Sequence, residues 1–172
     1  MRTLRARALL ALVALLVTSC STFGGHDAGP TTGTFHIDIA GGSIASFDAQ
    51  SMFANTWTHA PTDWMCGMGP YTEFIAVNGV VRVYIRVPEN PLVAGAHQIT
   101  ANPCGVYFSI SRYPGLPYSE RWDPASGTLT ISNVNGQDFD FAVTDAQVVA
   151  GPGATGNFTA NAVGHVVNAI AR

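Results

Sequence analysis

Phe74-Ile75-Ala76-Val77-Asn78-Gly79-Val80-Val81-Arg82-Val83-Tyr84-Ile85-Arg86-Val87 sets two runs of β-branched and aromatic residues around an Asn-Gly dipeptide. Asn-Gly between two such runs supplies the positive φ angles of a type I′ turn, whose twist matches the flanking strands. In the second run Val81, Val83, Ile85 and Val87 share one face and Arg82, Tyr84 and Arg86 the other. A period of two belongs to a strand with one face on a core and the other toward water. The segment therefore predicts a β-hairpin.

The same logic recurs outward from it. Thr128 to Val134, the turn Asn135-Gly136, and Asp138 to Val149 form a second expected hairpin, with Phe139, Phe141 and Val143 alternating against Asp138, Asp140 and Thr144, and Leu129 and Ile131 packing beside them. Thr34 to Ala40, His97 to Thr100, Val106 to Arg112 and Asn157 to Ile170 read as further strands, the last bent at Gly164. Only Ser46 to Asn55 offers a weak helical pattern beyond the N-terminus. About eight short strands with glycine turns predict an all-β domain over residues 34–172, an antiparallel β-sandwich with a β-barrel as the alternative.

The N-terminus is different. Arg2, Arg5 and Arg7 precede an apolar run from Ala8 to Val17, then Thr18, Ser19 and Cys20, the three-part layout of a signal peptide. A helix needs about twenty apolar residues to cross a bilayer core, so the run is too short for a permanent span. Val17-Thr18-Ser19-Cys20 resembles the lipobox of bacterial lipoproteins. The resemblance implies cleavage after residue 19 and lipidation of Cys20 with fatty acyl groups such as palmitate. Each buried methylene contributes roughly 0.8 kcal/mol, so several acyl chains together anchor durably. Ser21 after the cysteine implies the outer membrane if the host is Gram-negative. Residues 20–33, rich in Ser, Thr, Gly and Pro, read as a tether that buries too little to order itself. The expected location is the cell envelope, with the membrane as partner through the lipid.

Three of the eight arginines and none of the eleven acids fall in residues 1–19, and lysine is absent, so the remainder carries a formal charge of −6. That sign excludes a nucleic-acid partner, which requires neutralisation of phosphates. With Cys20 assigned to the lipobox, Cys66 and Cys104 remain, and in an oxidising compartment they read as a disulfide.

No nucleophile elbow, zinc-binding His-Glu-x-x-His helix or phosphate-cradling glycine loop occurs, and no cofactor is implied. The favoured expectation is a non-enzymatic binding or structural domain. Trp57 and Trp64, with Tyr71, and Tyr113, Tyr118 and Trp122 around Pro114 to Pro124 concentrate aromatic rings in segments read as loops, where flat apolar faces with polar edges suit a glycan or protein ligand. Glu120, Arg121 and Asp123 could add hydrogen bonds. The alternative reading of those rings is that they cap and cover the core. Asp138 and Asp140, alternate residues on one strand face, motivate a second expectation, an envelope hydrolase or glycan-active enzyme using two carboxylates. His59, Met65, Cys66 and Met68 motivate a third, copper binding through soft ligands, which competes with the disulfide for Cys66. Asn133, Asn135, Asp138 and Asp140 bring together oxygens that calcium could use, but they lack the EF-hand spacing and read as a plain hairpin turn.

Overall fold

The computed structural model describes residues 32–58, 66, 69–115, 118–167 and 169–171. The expected signal peptide, Cys20 and the tether to residue 31 lie outside them, as do His59, Trp64, Met65 and Met68. The described chain is all-β, as its period-two patterning requires. It forms strands β1 (Thr32–Ala40), β2 (Phe47–Asp48), β3 (Ser51–Trp57), β4 (Tyr71–Asn78), β5 (Val81–Val87), β6 (Gly95–Gln98), β7 (Tyr107–Gly115), β8 (Tyr118–Asn135), β9 (Asp138–Ala150), β10 (Phe158–Val167) and β11 (Ile170–Ala171).

These strands make one hydrogen-bonded sheet in the order β11-β3-β4-β5-β7-β8-β9-β10-β1-β2, with β6 paired to β8. The sheet is strongly curled into a half-barrel. Its two ends approach each other through the β2–β3 link. Ala49 N donates to Phe35 O of β1 at 2.9 Å, and the next residue, Gln50, donates from N to Val77 O of β4 at 2.8 Å. The segment read as a weak helix, Ser46 to Asn55, is thus β2 and most of β3. Its backbone groups are needed by the two sheet ends, and that long-range pairing overrides a marginal local preference.

Both expected hairpins are present, with Asn78 opposite Val81 and Asn135 opposite Asp138. The two-residue turns are therefore Gly79-Val80 and Gly136-Gln137, one position later than read. In each, the glycine takes a positive φ and its successor does not. That is the requirement of a type II′ turn rather than type I′.

The concave side is filled. Phe35 and Ile37, Phe74 and Ala76, Val83 and Ile85, Phe108 and Ile110, Leu129 and Ile131, and Phe139, Phe141 and Val143 all point inward and are buried. Phe74 of β4 stacks on Phe141 at 5.1 Å between ring centroids and tilts against Phe139 at 5.0 Å, although β4 and β9 are not neighbours in the sheet. Aromatic rings at these separations attract beyond their area burial. Two glycines serve this packing. A Cβ on Gly164 would lie 2.4 Å from Phe141 Cζ, so Gly164 leaves room for that ring within β10. Gly127, at φ +144, lets β8 approach Ala146.

The proline-rich stretch read as a loop is the largest departure. Tyr113 ends up in β7 and residues 118–124 in the first half of β8, where Trp122 pairs with Ile110 on one side and Ala150 on the other. Pro124 sits beside a register irregularity, the place where a strand tolerates a residue without an N–H. Cys66 and Cys104 are disulfide-bonded, with an S–S distance of 2.05 Å.

Candidate functional site

The outward faces of the sheet carry two polar groupings. The first lies on β3, β4 and β5. Glu73, 7% exposed, accepts hydrogen bonds from Asn55 Nδ2 (2.9 Å), Trp57 Nε1 (3.2 Å) and Tyr84 Oη (3.3 Å). Arg86, opposite Glu73 in register, is also buried. It donates to Pro103 O, lies 3.7 Å from Cys66 Sγ, and stacks over the Tyr71 ring at 5.6 Å. The face expected to meet water is thus sealed at Arg86 by the segment that the disulfide ties down. Burial, and then the Glu73 carboxylate, push the Tyr84 phenol well above its usual range.

The second grouping is open. On β1, β10, β9 and β8, outward residues fall into two cross-strand rows: Thr34, His165, Asp140, Ser132 and His36, Val163, Ala142, Thr130. They line a groove of about 660 Å³, within the size range of small-molecule sites. At one edge His36 Nδ1 lies 2.8 Å from Asp48 Oδ1 and its Nε2 3.3 Å from Asp38 Oδ1. An imidazolium donates from both nitrogens, so these hydrogen bonds, to Asp48 first, hold the His36 pKa above 6.5. At the other edge Asp140 accepts from Asn133 Nδ2 on Oδ2 and meets His165 Nδ1 on Oδ1, each at 2.5 Å. Those two contacts hold the Asp140 pKa below 3.8.

A bulge makes the Asn133 contact. β8 carries one residue more than β9 between Ser132 and Asn135, and Asn133 takes φ 52°. Asn tolerates that left-handed conformation better than most residues, and bulges re-aim side chains in this way. Of the oxygens considered for calcium, those of Asp140 are therefore engaged differently, accepting from the Asn133 amide nitrogen and the His165 ring. Among the described residues, no group of three or more His, Cys, Asp or Glu could hold a metal ion.

The order of groups across the sheet limits the chemistry. In the row Ser132, Asp140, His165 the acid stands between hydroxyl and imidazole. Nucleophilic catalysis needs the imidazole between the other two. A general acid in glycoside hydrolysis needs a raised pKa, whereas that of Asp140 is lowered. The row therefore offers a hydroxyl, a carboxylate and an imidazole to a neighbouring molecule, without the order of that triad.

The aromatic candidates do not converge. Trp57 stacks on buried Tyr71 at 5.8 Å, at the start of β4. Tyr113, about half exposed, lies under the Arg82 guanidinium beside Val80, past the other end of β4. Trp122 is fully buried, with its indole donating to Gly156 O at 3.1 Å, so it offers no face to a ligand and belongs to the capping role considered for these rings. The side chain of Tyr118 lies outside the described residues. Arg121 and Asp123 bond to each other and to Tyr107, and Glu120 pairs with Arg112. As a disulfide partner Cys66 supplies no thiolate, which removes the central ligand of the copper expectation.

Sequence reasoning singled out Asp140 but missed His36, Asp48 and His165. The available signal was parity: Thr34, His36 and Asp38 alternate against Phe35, Ile37 and Ile39. Nothing local placed β1 beside β10. No family model, curated protein or solved structure matches the chain.

Proposed function

We propose that this chain is a lipid-anchored envelope protein whose β domain acts as a non-catalytic binding module, engaging its ligand through the β1-β10-β9-β8 groove. The observation that carries the reading is that groove: two histidine–carboxylate pairs and three hydroxyls surround Val163, which is 56% exposed. An exposed apolar side chain inside a polar rim is the composition of a recognition surface. The anchor rests on the lipobox resemblance at Cys20.

The test is photocrosslinking in the native envelope from a reactive residue at position 163, beside the same probe at Thr159 on the same face of β10. A discrete adduct from 163 that is lost on Asp140→Ala supports the reading. Equal labelling from both positions counts against it. For the anchor, Cys20→Ser is expected to release the chain from the membrane fraction, and unchanged fractionation would remove that part.

A further inference from the structure

Resting on the groove reading, we infer that the ligand is a neutral saccharide, bound with one ring lying over Val163. Among the described residues, the lining mixes imidazole, carboxylate and hydroxyl groups and contains no arginine. A phosphate or carboxylate ligand would meet Asp48 and Asp140 with no permanent cation to offset the repulsion. A bare ammonium would satisfy the carboxylates but face two imidazoles, and His36 is held toward its charged form by its two acids.

A polyhydroxylated ring suits both halves of the rim, because each hydroxyl donates and accepts. Asp140 has spent one lone-pair site per oxygen on Asn133 and His165, and an ionised carboxylate has about four such sites. It therefore retains acceptors for ligand hydroxyls while its position is fixed from both sides. Ser132, Thr130 and the Nε2 edge of His165 supply the complementary groups. The C–H face of the ring lies on Val163 and Ala142, the apolar centre of the second row. Pre-set polar groups around an apolar floor reduce the ordering cost of binding.

The experiment is isotope-edited NMR on the complete, oxidised chain in a detergent without sugar headgroups. The probes are neutral disaccharides of glucose, galactose, mannose and N-acetylglucosamine, with spermidine, inorganic phosphate and a short neutral peptide beside them. At least one saccharide, at concentrations up to about 10 mM, is expected to shift the amides of residues 34–36, 130–132, 140–142 and 163–165 in a saturable way. Val163→Arg is expected to weaken that binding by at least about tenfold with the rest of the spectrum intact, and Tyr113→Ala to leave it unchanged. Asp140→Ala gives a second check at the rim.

Groove shifts from spermidine, phosphate or peptide and none from any saccharide would overturn the ligand class and leave the groove standing as a site. Saccharide shifts confined to the surroundings of Trp57 or Tyr113 would overturn both. Silence from every saccharide, or unchanged affinity in both Val163→Arg and Asp140→Ala, would overturn the inference.

Discussion

The outer face of β3-β4-β5 and the outer face of β8-β9-β10-β1 both carry acids and their partners in cross-strand rows, yet one is sealed and the other open. Around Glu73 the donors are an amide, an indole and a phenol, all at least half-buried, and the disulfide-linked segment lies over Arg86. Around Asp140 the partners are an amide and an exposed imidazole, and solvent reaches the carboxylate. Burying a charge demands that its partners be in place before the fold is worth forming, whereas an exposed pair contributes little. The sealed patch is therefore committed to stability and the open one is free to meet a ligand.

That contrast can be broken most forcefully at its covalent tie. Replacing Cys66 and Cys104 by Ser is expected to lower stability by about 4 kcal/mol, the loop-closure contribution of a 38-residue separation. Urea unfolding measures it, and a loss under about 1 kcal/mol would show that the seal does not depend on the bond. Next in size, Glu73→Ala strands three donors and removes the charge opposite Arg86, for an expected cost of about 3 kcal/mol. Asp140→Ala in the same assay should lower the midpoint far less than Glu73→Ala, and equal losses at the two acids would erase the distinction between the faces.

The groove's backing is less tolerant than its rim. Gly164→Ala places a Cβ against the Phe141 ring and 2.9 Å from Thr34 O, and should cost about 2 kcal/mol by overpacking. A neutral result would mean that β10 shifts readily beneath the groove.

The smallest effect is on pH. With its folded pKa above 6.5, His36 contributes stability that is fully present below pH 6.5 and is lost as pH rises through the folded value. Asp140, with its folded pKa below 3.8, contributes stability that is present above pH 3.8 and is lost as pH falls through the folded value. Following the imidazole carbon-bound protons by NMR should show His36 titrating above the usual histidine value, and Asp48→Asn should bring it down. An unmoved titration would mean that Asp48 does not hold the ring.

Individual strands were legible because inward and outward residues alternate so cleanly in 81–87 and 139–143. Trp122 was not, because the residues around it, Pro114, Gly115, Pro117 and Pro124, carry every local mark of a loop. Only pairing with Ile110 and Ala150 makes that stretch a strand and turns the indole inward. The half of the groove contributed by Asp140 was visible as an acid on an outward face. His165 lies 25 residues further on and His36 more than 100 residues before, and only His36 has an acid, Asp38, beside it on its own strand face.

Residue order alone carried the β class, the two hairpins and the pairing of Cys66 with Cys104, since each depends on local parity, turn chemistry or simple elimination. Tertiary structure alone decided that the ends of the sheet approach through Ala49 and Gln50, that Arg86 is sealed while Val163 is open, and that two histidines and their acids share one groove. The physical reason is range. Parity acts between residues two apart, whereas register between strands is set by which apolar faces fill the same interior, and that choice is made across the whole chain at once.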